Sequence, residues 1–218
     1  TRWEMFLIPS DSGEIFDKPT FGLDEHSIFI GTEDHLINKK KEGVSAFVID
    51  KRLLISENVV FGKRFTISKK NRFCTMGIEC VDNFDNDPLY GYFIGTTSGT
   101  NDRLSVFRYS HQNSDFECFS LPIPIYAKPL NVGHKGNAFL KAGLLDGLDS
   151  RIMSAHIRKN RLWTVHGVGV NNIGQSSPTI KTNRIGCRWY EIDLTNDLQL
   201  IQFGVLLKPT PENGFSKA

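Results

Sequence analysis

Tyr90-Gly91-Tyr92-Phe93-Ile94-Gly95-Thr96 is apolar or aromatic on both of its alternating faces. A strand of that kind is buried between two neighbouring sheets rather than lying at a surface. Two other stretches share its character: Ser27-Ile28-Phe29-Ile30-Gly31-Thr32 and Leu162-Trp163-Thr164-Val165-His166-Gly167-Val168. Each follows a more modest segment, at 18–24, 74–80 and 151–157. Each precedes a segment that alternates with period two, at 45–50, 104–109 and 187–193, as a more outward strand does. A short fourth segment closes each set: Val59-Val60-Phe61, then Phe116-Glu117-Cys118-Phe119, then 198–203.

A four-strand unit that recurs along a chain is the mark of a β-propeller. The reading is therefore all-β, with four-stranded blades at about 18–63, 73–121 and 149–206 and a long connection over 121–150. In that connection Pro122, Pro124 and Pro129 favour extended chain. Thr1-Arg2-Trp3-Glu4-Met5-Phe6 is similar to Arg188-Trp189-Tyr190-Glu191-Ile192, which suggests that the chain opens midway through an earlier blade. Closed propellers need about 4 to 8 blades, and three would leave open sheet faces. The expectation is that residues 1–218 form a single propeller domain or a segment of a larger one, completed by further blades or by self-assembly.

Composition agrees. There are only six alanines, the best helix formers, against 16 Phe and 19 Gly. With 26 basic and 24 acidic residues the formal net charge is +2, which excludes a strongly electrostatic nucleic-acid binder. No apolar run approaches the ~20 residues of a membrane helix, and no signal segment is visible. Cys74, Cys80, Cys118 and Cys187 contain no CxxC pair, so no zinc spacing is present. Buried free thiols are the expectation, with one disulfide involving Cys74 or Cys80 as the alternative.

The segments resemble those of a loosely defined group of exported or surface-associated bacterial propeller proteins. The likeness is carried by 16–24 with 27–32 and 46–51, by Leu148-Asp149-Ser150-Arg151-Ile152 with 162–166, and by Arg184-Ile185-Gly186-Cys187-Arg188-Trp189-Tyr190-Glu191-Ile192. It implies a secreted or cell-surface protein. It brings no catalytic residues with it, and it is distinct from WD40, kelch and Asp-box propellers.

Four clusters invite a chemical reading. His166 and Glu191 could form an acid–base pair across two strands. The plainer reading is a hydrogen-bonded packing network, with His166 on the face opposite Trp163. Asp82, Asp85 and Asp87 form the densest oxygen cluster and could hold Ca²⁺, but their register does not fit an EF-hand, and an Asx-rich turn explains them as well. Lys39-Lys40-Lys41 and Lys69-Lys70-Asn71-Arg72 read as solvated loops. No nucleophile elbow, HExxH motif or phosphate-binding glycine loop is present.

In a propeller the loops between second and third strands gather on one face with those that lead into the next blade. The first kind fall here at 33–44, 97–103 and 171–184. The last is long and polar. Asn171, Asn172, Gln175, Lys181 and Asn183, with Asp102 of the neighbouring loop, are the candidate ligand-binding residues. Hydrogen-bonded recognition of a protein or glycan is the expected function, without catalysis and without a cofactor. Two alternatives stand beside it. One is a glycoside hydrolase-like propeller enzyme using two of Asp24, Asp50, Glu79, Asp102 and Asp149. The other is a purely structural repeat segment.

Overall fold

The computed structural model describes residues 5–8, 10, 13–38, 40–57, 62–133, 144–195 and 197–208. Within them the chain is all-β apart from one short helix. The strands are β1 (Glu14–Leu23), β2 (Ser27–Leu36), β3 (Lys41–Asp50), β4 (Gly62–Ser68), β5 (Glu79–Asn83), β6 (Tyr90–Thr96), β7 (Arg103–Ser110), β8 (Phe116–Pro122), β9 (Ile152–Arg158), β10 (Arg161–Val170), β11 (Arg184–Asp193) and β12 (Gln199–Leu206), with α1 (Lys51–Glu57) between β3 and β4. Asp50 starts the helix, its Oδ1 accepting the backbone N–H groups of Arg52 and Leu53.

Three antiparallel meanders result. β1–β4 form one four-stranded sheet, and β5–β8 and β9–β12 join into an eight-stranded sheet. The join is a parallel pairing of two first strands, Asp82 with His156 and Asn83 with Ile157. The first strand of the remaining meander is tied to the same place: Thr20 Oγ1 donates to the Ile78 carbonyl (2.8 Å), and Leu23 N–H donates to Asp82 (2.9 Å). β1, β5 and β9 therefore meet.

The second meander lies between the other two and has a core on each side. Phe93 and Phe107, directly paired, face Phe29, Val44 and Val48 of the first meander. Tyr92, Ile94, Leu104 and Val106 face Ile157, Leu162, Tyr190 and Ile192 of the third. This double burial is why 90–96 is apolar on both faces. Gly91 lets the first meander approach: a Cβ there would strike the ring of Phe29.

Several expectations shift. The third meander is buried on one side only, so Trp163, Val165 and Gly167 are half-buried on the other. The first strand of the second meander begins at Glu79, not at Cys74. The fourth strand of the first meander is 62–68, and Val59, Val60 and Phe61 lie outside the described residues. Most of the stretch 33–44 is strand rather than loop, with Glu33 and Asp34 buried. Thr1–Glu4, Lys39 and residues 209–214 also lie outside the described residues. In the described part of the connection after β8, the Ile123 N–H bonds the Asp102 carbonyl and Ala127 bridges Gly169, while residues 134–143 lie outside the described residues. All four cysteines are free. Cys74 and Cys80 are buried as thiols, but Cys187 is exposed because β11 turns it to the open side of the third meander. Among the described residues no helix is long and apolar enough to cross a membrane.

Candidate functional site

The polar loop 171–183 satisfies itself. Asn171 Oδ1 accepts the N–H groups of Ile173 and Gln175, and its Nδ2 donates to Gln175 Oε1 (3.0 Å). Asn183 Nδ2 donates to Asn172 Oδ1 (2.8 Å), which also receives Arg184. Lys181 is exposed. Asp102 lies on the β6–β7 loop, bonded to its neighbour Arg103 (3.2 Å), a contact that lowers its pKa. The segment from Ile123 to Ala127 runs between Asp102 and this loop and bonds both, through the Asp102 carbonyl and through Ser176 Oγ. The amides thus shape the loop, and the six candidates divide between two loops.

A cavity of about 870 Å³ opens at the opposite end of the strands. It is built by the β1–β2 turn, the β3–α1 junction, the β5–β6 loop and the β7–β8 turn, so the first two meanders both contribute. Asp24 is its anchor. The side chain is fully buried, Oδ1 accepts the N–H groups of His26 (2.9 Å) and Ser27 (2.7 Å), and Oδ2 takes the His111 ring at 2.7 Å. His26 meets Asp87 at 3.1 Å, and the Asp87 N–H donates to Glu25 (2.7 Å). The two imidazoles stand edge to face, 4.9 Å apart. Around them the wall offers Lys51, Lys63 and Gln112 beside apolar Val48, Leu89 and Ile55. A cavity that mixes convergent polar groups with apolar surface suits a polar ligand.

A second, smaller pocket of about 200 Å³ lies where β1, β5 and β9 meet. Glu33 and Glu79 both line it, with Lys18, Arg151 and Met153. The Glu33 side chain is only 5% exposed and lies 2.8 Å from Arg151, 3.6 Å from Lys41 and 3.8 Å from Lys18. Lys18 reaches it from an irregularity in β1 between Asp17 and Thr20, at a left-handed φ of 49°. Arg151 is braced from behind by Asp149, which receives its Nη2 at 2.5 Å. Glu79 differs: no hydrogen bond or ion pair reaches its carboxyl among the described residues. Burial, with the negative charge of Asp82 added, pushes its pKa up to about 7.

The other clusters have local duties. Asp82 caps Leu23. Asp85 accepts the N–H groups of Lys159 and Asn160, which turn β9 into β10 with two left-handed residues, and Asp87 meets His26. The three carboxylates diverge, and no group of three metal-type ligands occurs among the described residues. His166 and Glu191 lie on opposite faces. His166 is buried, bonded to the Tyr190 hydroxyl at 2.9 Å and crossed by Tyr126, and it pairs across the ladder with Arg188. Burial and the Arg188 charge lower its pKa to about 4.

Sequence reasoning named Asp24 and Glu79 but missed the Asp24 partners and the Glu33–Arg151 pair beside Glu79. The order Asp24–His26 within one turn is a local signal. His111 and Arg151 give none, because they arrive from other meanders.

No protein-family model matches the chain, and no curated protein matches it. Among solved structures it is similar to one from Parabacteroides distasonis described as a "putative glycoside hydrolase", with a TM-score of 0.30 and 10% identity over 90% of this chain and 75% of that chain. A likeness at that level assigns neither fold family nor activity.

Proposed function

We propose that the protein is a glycan-binding module of the β-propeller class, with the three meanders as consecutive blades and the cleft between the first two as its binding site. The meeting of the three first strands supports the propeller reading, since the first strand of every blade lines the axis of such a ring. The cleft carries the functional reading. Its volume of about 870 Å³ is ample for an oligosaccharide segment. The Asp24 and Asp87 carboxylates hold both imidazoles in fixed positions through Nε2, so a hydroxyl-rich ligand meets pre-set rings at little ordering cost. On the resemblance of its segments alone, the module belongs outside the cytoplasm, secreted or at the cell surface.

The test is a glycan array followed by calorimetric titration of the hits. His26→Ala and Gln112→Ala should each weaken a bound glycan about 10-fold or more, in line with about 1.4 kcal/mol per lost contact. Binding that survives both changes unaltered removes the cleft as the site. A protein ligand in place of a glycan, mapped to the same residues, would keep the cleft and change the class.

A further inference from the structure

The small pocket at the meeting of β1, β5 and β9 has a different chemistry from the cleft and lies toward the other end of the strands. Its two glutamates come from different meanders and have opposite surroundings. Glu33 is held among Arg151, Lys41 and Lys18. Glu79 is half-buried, meets no cation and receives no hydrogen bond among the described residues. Paired carboxyls whose environments diverge in this way divide the roles of acid and base between them. The pocket lining holds no Ser, Cys or His, and its Thr20 hydroxyl is engaged by the Ile78 carbonyl. Its volume of about 200 Å³ has room for about one sugar ring rather than a longer chain.

We propose that this pocket is a hydrolytic site for glycosidic bonds, with Glu79 as the proton donor and Glu33 as the proton acceptor. Glu79 transfers its carboxyl proton to the glycosidic oxygen as the bond from that oxygen to the anomeric carbon breaks. Glu33 takes a proton from the attacking water, whose oxygen forms the new bond to the same carbon. One water is consumed, and two hydroxyl-bearing products leave with no oxidant, reductant or metal. The elevated pKa of Glu79, about 7, leaves about half of these carboxyls protonated at neutral pH, where an ordinary glutamate is almost fully ionised. Arg151 and Lys18 are positioning residues that hold the Glu33 carboxylate toward the pocket. This inference is independent of glycan binding in the cleft, because no cleft residue takes part.

The experiment is hydrolysis of a panel of aryl glycosides of the common hexoses and pentoses by the whole chain and by Glu79→Gln. Glu79 has no partner to lose, so the variant should fold, which circular dichroism checks. With phenyl leaving groups, which need a proton, Glu79→Gln should lower kcat/KM by about 10²–10⁴-fold. With dinitrophenyl leaving groups, which do not, the loss should be under about 10-fold. A structural role for Glu79 would lower both equally. Wild-type activity should fall as pH rises through about 7. The proposal is overturned if the wild type cleaves nothing in the panel. It is also overturned if Glu79→Gln keeps full activity on phenyl glycosides, or if both leaving groups suffer alike. Glycan binding by titration reads the cleft and aryl glycoside hydrolysis reads this pocket, so the failure of one reading is distinguishable from the failure of the other.

Discussion

His111 Nε2 lies 2.7 Å from Oδ2 of Asp24, although 87 residues separate them. That one contact fastens the β7–β8 turn of the second meander to the β1–β2 turn of the first, at the floor of the cleft. Asp24→Ala removes it and strands the N–H groups of His26 and Ser27. The cost should be about 3 kcal/mol, since buried donors are left without partners. Urea unfolding of the variant measures it. A loss below about 1 kcal/mol would mean that water replaces the carboxylate freely.

Gly91 is the contact point of β6 with Phe29. Gly91→Ala pushes a methyl group into a ring that is fully buried and held edge to face by Phe93 at 5.4 Å. Overpacking of this kind should destabilise the fold by about 1–3 kcal/mol. Phe29→Leu in the same chain should recover part of the loss by making room. A neutral Gly91→Ala variant would show that the two meanders can slide apart.

His166 makes the third meander sensitive to acid. Its folded pKa is depressed to about 4, while the unfolded chain takes up the proton near 6.5. Below pH 6.5 the unfolded state therefore binds more protons, and stability falls until pH reaches about 4. The full effect is about 3 kcal/mol. His166→Gln, which can still meet the Tyr190 hydroxyl, should flatten stability over that window in denaturant titrations at several pH values. An unchanged slope would assign the acid sensitivity to other groups.

Glu79 works in the opposite direction. Its folded pKa lies above the unfolded value, so the folded state keeps the proton longer. Stability should drop as pH rises from about 4.5 to about 7 and stay low above it. Glu79→Gln should accordingly raise the melting temperature at pH 8 and leave it unchanged at pH 4. The gain, reduced by the water that still reaches the carboxyl, is about 1–2 kcal/mol. Equal melting temperatures at both pH values would place the Glu79 carboxyl in solvent.

Much of the architecture was legible along the chain. Among the described residues, the twelve strands fall in three sets of four around the 27–32, 90–96 and 162–168 segments, and the middle one is doubly buried as its composition required. The 62–68 strand was displaced because Gly62-Lys63-Arg64-Phe65 has no continuous apolar run, its pairing with β3 being set by register. The stretch 33–44 read as loop because Glu33, Asp34 and Lys41 are charged. Glu33 and Asp34 enter the interior because ion pairs from Lys18, Arg64 and Arg151 await them there, and Lys41 itself pairs with Glu33.

Local pattern determined most of the elements of this protein: period-two alternation selects strands, and Gly and Asn/Asp clusters place the turns. It also separated His166 from Trp163 by parity, because side chains alternate across a strand. Only the tertiary structure decided which residues share a site. Asp24 with His111, and Glu33 with Glu79 and Arg151, are joined by the packing of one meander on another. Such contacts depend on the register and approach of whole sheets, which no short stretch of sequence encodes. The Asn171–Asn183 loop marks the same boundary from the other side. Its polarity was plain in the sequence, but the direction of its hydrogen bonds, inward to its own backbone and side chains, was set by the fold of the loop.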